Sequence, residues 1–463
     1  MQIKITRKFI IVSIILNLFL CRMAWTFILD DIFPQQCQPT NNVNNFKKIL
    51  SDSKIPIKEI KNPQITKNKK YKFIDIEEKR KLFIDKKFSE IEKYYSKCLE
   101  TRLDYDSRHN MTTFIWLLNK KVNNFDLLLD EWEKEIPKSH IPHLIRACIL
   151  INKAWEARGT GWASTVTKEG WDKMNKNLKS SQTELEKAYE LNPADPNIGA
   201  TGIIVSMGLC VDLSVTKSWF DRSMNSDPYH TSAYAQMMTV LFPKWHGSWK
   251  LAKSVVDDAL KKTDYNPQLF ALLPLYYEEF CRRKTDNEEN VKLKFKSEYR
   301  KVYNTILKKA YEEASEKYPD EFQVQARYGI DALNDKDREL GLKKIEQVIK
   351  LIEAGKTIDL PYFSSFNCSI CFVYNKYAWI LSTSKNENHY QPKRALIYAR
   401  KAVELEPEWE WGLDTLANAY AANGDFTSAI ETQKKAMEFG NETFKRTSNR
   451  KISQFEEGIA PRY

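Results

Sequence analysis

A few places in this sequence bring together side chains that could do chemistry. His140 and His143 stand three apart, a spacing that lets two imidazoles share a metal ion, but Pro142 lies between them where a helix should start and no third ligand is apparent. Cys368-Ser-Ile-Cys371 is the one C-x-x-C. Zinc would need a second pair or nearby histidines, and a redox role would need a βαβ setting; neither is present, though an oxidising compartment would allow a Cys368–Cys371 bridge. Trp245-His246-Gly247-Ser248-Trp249 could line a pocket mouth whose indoles stack on a flat apolar ligand or a sugar face. The competing reading is a rigid connector in which the glycine permits a tight turn and the tryptophans plug the fold. Trp155, Arg158 and Trp162 extend the candidate pocket, with Arg158 placed to stack on an indole or pair with Glu156. Trp155 and Trp162, seven apart, are expected on one helix face. Ser139 and Thr231 suit helix caps better than nucleophiles. No G-x-S-x-G elbow, phosphate-cradling G-x-x-x-x-G-K-[ST] loop or H-E-x-x-H occurs, so the expectation is a protein without catalytic residues, metal or cofactor.

The body that must position these residues is helical. Only 14 glycines in 463 residues argue against phosphate loops and hairpin-rich β folds. Hydrophobic residues at 42% and charged residues at 29% fit a folded chain too long for a single core. The net charge of +11 would suit an anionic partner, but residues 41–100 alone hold 16 Lys/Arg against 9 Asp/Glu, the pattern of a solvated, flexible face. No nucleic-acid partner is expected. Cys148 and Cys210 sit inside apolar runs and read as core packers.

Self-comparison exposes a repeat. Leu413-x-x-Leu416-Ala417-x-x-Tyr420 is followed by Asn423-Gly424-Asp425-Phe426, then Ala429 and Ala436. Apolar and small residues three and four apart define two successive helices around a glycine-centred turn, with Ala417 and Ala429 letting them approach closely. The preceding unit repeats the second helix as Ala395, Ala399, Ala402 and Pro407, and Ala402 to Ala436 is 34 residues. Its first helix is expected near Tyr374–Leu381, with Tyr377 and Ala378 in packing positions. Ala188…Pro193, Ser223…Pro228, Ala259, Ala314…Pro319 and Val348 fall into near-register, while the intervals 259–314 and 348–402 are too long for one repeat and imply insertions. The pattern resembles the tetratricopeptide repeat, departing from it at Gln433, where that family has an aromatic, and at Asn441, where it has proline. The resemblance implies an all-α, helical-hairpin solenoid whose stacked pairs bury faces that no pair can bury alone and form a concave surface.

The amino-terminal half carries Trp132…Pro137-x-Ser139, Ala154-Trp155-Glu156-Ala157-Arg158-Gly159, Trp171, Trp219-Phe220 and Phe242-Pro243-Lys244-Trp245-His246-Gly247-Ser248-Trp249. Across about residues 75–265 this resembles an uncharacterised bacterial all-helical domain family often fused to tetratricopeptide repeats. The resemblance implies a helical fold and no activity.

At the start, Lys4, Arg7 and Lys8 precede the apolar run Phe9–Cys21, the layout of a secretory leader without a clear small-x-small cleavage site. The expected organisation is a signal peptide or signal anchor at 1–29, a flexible linker at 30–70, a Trp-rich helical domain at 71–265, repeats with insertions at 266–369, a repeat pair at 370–445, and a capping segment with a frayed tail at 446–463. The chain is expected to be exported, periplasmic or extracellular, or anchored to the membrane by residues 9–29, which are its only membrane contact. The leading expectation for function is a scaffold that grips a protein or peptide partner. The alternative is a small-ligand binder or enzyme with its site among the tryptophans.

Overall fold

Many helices of this chain begin where a side chain can accept the free N–H groups of a first turn. Asp75, Thr167, Asp195, Asp212, Ser248, Asp425 and Asn441 all do so. Prolines open the helices at 196 and 392, where a missing N–H costs nothing. Ser139 Oγ accepts from Ile141 N of the first turn of the helix that follows, at 3.2 Å, whereas Thr231 stands one residue inside its helix and the His230 ring is the cap that accepts, from Ala233 N.

The computed structural model describes residues 75–463 apart from 103–110, scattered positions between 113 and 123, 160–162, 246, 286–290, 336 and 355–369. The expected leader and linker, Trp162, His246 and Cys368 lie outside the described residues. Among those described, helices occur without a strand, and no helix is long and apolar enough to cross a membrane. The chain divides into two compact units between Ala310 and Tyr311.

In the first unit, α1 (Ile76–Ile84), α2 (Phe88–Glu100) and α3 (Phe125–Glu135) precede a series of helix pairs. These are α4 (Ile141–Arg158) with α5 (Lys168–Leu191), α6 (Pro196–Gly208) with α7 (Leu213–Ser226), α8 (Thr231–Val240) with α9 (Trp249–Leu260), and α10 (Leu272–Thr285) with α11 (Val291–Val302). The first helices α4, α6, α8 and α10 also touch one another in order. A first helix flanked on both sides and backed by its own partner has little free face, so every residue of Pro196–Met207 and of α8 is buried. The second helices bury one stripe, and Ala188, Ser223 and Ala259 lie on it, fully enclosed. Gly202 lets Trp219 lie flat against α6, because a Cβ there would come within 2.3 Å of the indole.

The second unit contains most of α12 (Lys308–Lys317), then α13 (Phe322–Asn334) with α14 (Arg338–Glu353), α15 (Ile370–Thr383) with α16 (Pro392–Leu405), and α17 (Glu410–Ala422) with α18 (Phe426–Phe439). Helix α19 (Glu442–Glu456) packs on α18. The helical repeat read from the sequence is therefore present as tandem helix pairs. The interval 259–314 holds a further pair rather than a break: α10 is followed by helix from Val291 to Lys317, including a π-helical turn at Tyr303–Leu307. The seven phased small residues all fall on second helices.

Two expectations need correction. Cys148 is buried, but Cys210 is a half-exposed residue of the α6–α7 turn, held at φ 51°. Asn449 to Tyr463 is not frayed: α19 runs to Glu456, and Tyr463 N donates to Thr383 O at 2.6 Å. Cys371 is buried, its Sγ donating to Ala402 O at 3.4 Å.

Candidate interaction surface

Helix α15 shows how a first helix divides its sides. Cys371, Tyr374, Tyr377, Ala378 and Leu381 share one stripe, and the rings of Tyr374 and Tyr377 meet Tyr398 of α16. Phe372, Asn375, Lys376, Trp379 and Thr383 fall on the other side at helical spacing. Lys376 sits 5.4 Å from the Trp379 ring, and Phe372 contacts Trp409 in the turn before α17. Trp411 and Asn418 occupy the corresponding side of α17, with Trp411 half exposed and edge-on to Phe444. The two first helices pack side by side, so these stripes form one surface of aromatic and amide groups.

Ala395, Ala399 and Ala402 on α16, and Ala429 and Ala436 on α18, have no exposed area. Ala417 and Ala429 meet in one cluster with Phe455, while Leu413 and Ala436 meet Phe444. Leu416 is buried and Tyr420 half-buried beneath Arg400, whose guanidinium lies 5.5 Å from the ring. Gly424 takes φ +82° in the α17–α18 turn, a conformation costly for residues with a Cβ. Pro407 is an exposed residue of the α16–α17 turn.

Gln433, the departure from the repeat pattern, is completely buried. Its Nε2 donates to Asp414 Oδ1 and to Ser448 Oγ, both at 2.9 Å. Lys451 of α19 reaches the same Asp414 carboxylate at 2.7 and 2.8 Å. A polar clamp thus stands where an aromatic would fill space, joining α17, α18 and α19. Sequence reading found the odd residue but not its partners, which lie 19 and 15 positions away.

The tryptophans of the first unit are distributed differently from the expected pocket. Helix α4, which carries Trp155, ends at Arg158, and Trp162 lies outside the described residues. Arg158 stands 6.0 Å from the Trp155 ring and 5.7 Å from that of Trp171 on α5, and it donates to Gly159 O. Burial pushes its guanidinium below the usual arginine range. Trp249 packs against Phe242, Tyr276 and Phe280, while its carbonyl accepts from Tyr276 OH at 3.1 Å. Gly247 is needed for close approach, since a Cβ there would lie 2.2 Å from Leu241 O. Lys244, next to Trp245, pairs with the buried Glu279 at 2.7 Å. Trp249 and its neighbours thus wedge α9 against α10. The Trp155–Arg158 group is on α4 and the Trp245–Trp249 group on the α8–α9 turn, with α6 packed between α4 and α8.

His140 and His143 likewise go to separate partners, Asp195 at 3.1 Å and Glu184 at 2.7 Å. Among the described residues no group of three or more potential ligands could hold a metal ion. Burial works against the Glu184 carboxylate, but the bonds from His143 and Lys187 outweigh it and hold it down at about 2. A carboxyl depressed on folding stabilises the fold above its unfolded value, about 4.3, and the contribution is lost as pH falls through the folded value. The first unit should therefore lose thermal stability between pH of about 5 and about 2, and Glu184→Gln should flatten that slope. Identical melting profiles for parent and variant across this range would remove Glu184 from the account.

No protein-family model and no curated protein matches the chain. Among solved structures it is similar to the crystal structure of yeast Tom70, at 13% identity over 83% of this chain and 94% of that one, with a TM-score of 0.29. It is also similar to the structure of Naa15/Naa10 bound to HypK-THB, at 14% identity over 82% of this chain and 65% of that one, with a TM-score of 0.23. The chain thus spans slightly less than two thirds of that second chain. Likenesses this loose give no residue correspondence.

Proposed function

We propose that this chain is a helical-repeat scaffold of the tetratricopeptide type, and that the first-helix surface of α15 and α17 holds a protein or peptide partner. The observation that carries the reading is that the Trp379 end of this surface already receives polypeptide: the Tyr463 ring stacks on Trp379 and Tyr463 N donates to Thr383 O. Aromatic side chains at a partly open surface supply contact area at low entropic cost, as interface anchors do. Export, or attachment to a membrane through residues 9–29, belongs to the same proposal and rests on the charge and apolar layout of the leader.

Affinity capture from the native cells tests the scaffold reading, with the full chain beside Trp411→Glu as bait. Trp411 is half exposed, so the variant should melt like the parent. A partner retained by the parent and depleted at least about tenfold by the variant is expected, the loss typical of an interface anchor. Equal recovery by both baits, or no specific partner on either, would sink the proposal.

A further inference from the structure

Residues 459–463 report what the surface accepts. The chain leaves α19 through Gly458, at φ +73°, and Ala460 then packs beside Ala417, Ala421 and Phe455. Pro461 is buried. Arg462 Nε donates to Ser384 O at 2.8 Å, its Nη2 pairs with Glu387 at 2.8 Å, and its guanidinium lies 4.1 Å from the centre of the Tyr390 ring. Tyr463 N donates to Thr383 O, and the tyrosine ring stacks on Trp379 at 12° between planes.

Each contact has a physical reason independent of the residue that now makes it. Thr383 ends α15 and Ser384 follows it, so their carbonyls belong to the helix end whose acceptors lack intrahelical donors. That end carries the negative pole of the helix dipole, which Glu387 reinforces, and a cation is the complementary group. Tyr390 adds a face for a planar guanidinium, which an ammonium would match less well. Trp379 offers a flat apolar face one position along.

We propose that the cleft formed by Trp379, Thr383, Ser384, Glu387 and Tyr390 is a docking site for an extended segment of a partner protein with proline–arginine–aromatic chemistry, and that residues 459–463 are a resident occupant which the partner displaces. The proposal rests on the scaffold reading and names the partner's chemistry. Proline at the position of Pro461 presets an extended backbone, arginine supplies the charge and fork, and the following aromatic covers Trp379. Half of Tyr463 remains exposed, so the outer end of the resident segment is open to exchange with an outside strand.

The test uses the full chain and a fluorescein-labelled synthetic peptide, Ile-Ala-Pro-Arg-Tyr, read by anisotropy. The double variant Arg462→Ala/Tyr463→Ala should vacate the cleft and bind the peptide at least about tenfold more tightly than the parent, whose own segment competes at high effective concentration. Adding Glu387→Lys to the double variant should abolish binding, and a peptide with alanine for arginine should not bind. A vacated chain that keeps the parent's circular dichroism and ignores the peptide, or that binds both peptides equally, overturns the proposal. Should the double variant not fold, excess peptide added to the parent must speed hydrogen exchange at Tyr463; unchanged exchange overturns it as well. A doubled mass of the parent in light scattering, lost in the double variant, would assign the cleft to a second copy of the chain instead. Failure of the peptide with Trp411-dependent capture intact would remove this cleft alone, leaving the scaffold reading standing.

Discussion

Replacing Asp195 by alanine should cost the first unit about 3–5 kcal/mol, the usual penalty for removing one member of a buried charged network. The Asp195 side chain is enclosed, and four donors converge on its two oxygens: Tyr95 OH at 2.7 Å, His140 Nε2 at 3.1 Å, Asn197 N at 2.9 Å and Asn197 Nδ2 at 3.0 Å. Burial opposes its ionisation, but the His140 and Tyr95 bonds outweigh it and hold the carboxyl below its usual range. Burial, followed by the nearby Asp195 charge, pushes the Tyr95 phenol well up, so it remains a donor at every pH the fold survives. Alanine would leave the tyrosine, the histidine and the asparagine amide without an acceptor and would also strip the cap from α6. Asparagine preserves shape and half the acceptor capacity, and should cost less. Hydrogen exchange of the α6 backbone measures the local loss directly. Protection in Asp195→Ala equal to the parent's would mean that packing alone holds α2, α4 and α6 together.

Asp414→Ala should release α19 from the second unit, again at about 3–5 kcal/mol. Lys451 and Gln433 share that carboxylate, and Gln433 passes the connection on to Ser448. Loss of the acid leaves the half-buried lysine without its counter-charge and the buried amide with one partner fewer. Gln433→Leu should cost less, about 1–3 kcal/mol, because the ion pair survives. The informative comparison is Asp414→Ala/Lys451→Met, which removes both charges and should recover part of the stability lost in the single variant. Proteolysis in the short α18–α19 link and exchange across α19 read the release. A double variant as unstable as the single one would show that the clamp acts by shape and not by charge.

What the sequence disclosed follows from what each helix exposes. Second helices such as α16 and α18 bury one stripe, so Ala395, Ala399 and Ala402, or Ala429 and Ala436, stand out at spacings of three, four and seven. First helices such as α6 and α8 are enclosed on every side and carry no period to detect. Gly202 in α6 reads as a weak helix residue until Trp219, 17 positions on, is seen lying against it. Aromatic neighbours in sequence were also a poor guide to neighbours in space: Trp171 from the following helix joins Arg158 beside Trp155. Gly458 and Pro461 read as breakers that should fray the chain, yet here Gly458 turns it at φ +73° and Pro461 is buried. The polar contacts that organise both units join residues 100 apart for Tyr95 and Asp195, and 37 apart for Asp414 and Lys451, where no local pattern can link them.

The helices of each unit lean mainly on partners one or two elements away along the chain, whereas a few polar contacts reach much further. Arg102 donates to Ser226 O across 124 positions, and Arg462 to Ser384 O across 78. Short loops close quickly and at small entropic expense, so helix pairs can assemble independently and early. Contacts that span many pairs gain nothing until those between them are in place. Tyr95–Asp195, Arg102–Ser226 and Arg462–Ser384 therefore act as late-forming latches in the folding of this chain. Substitutions in them should speed unfolding while leaving the rate of folding nearly untouched, as expected of interactions absent from the transition state.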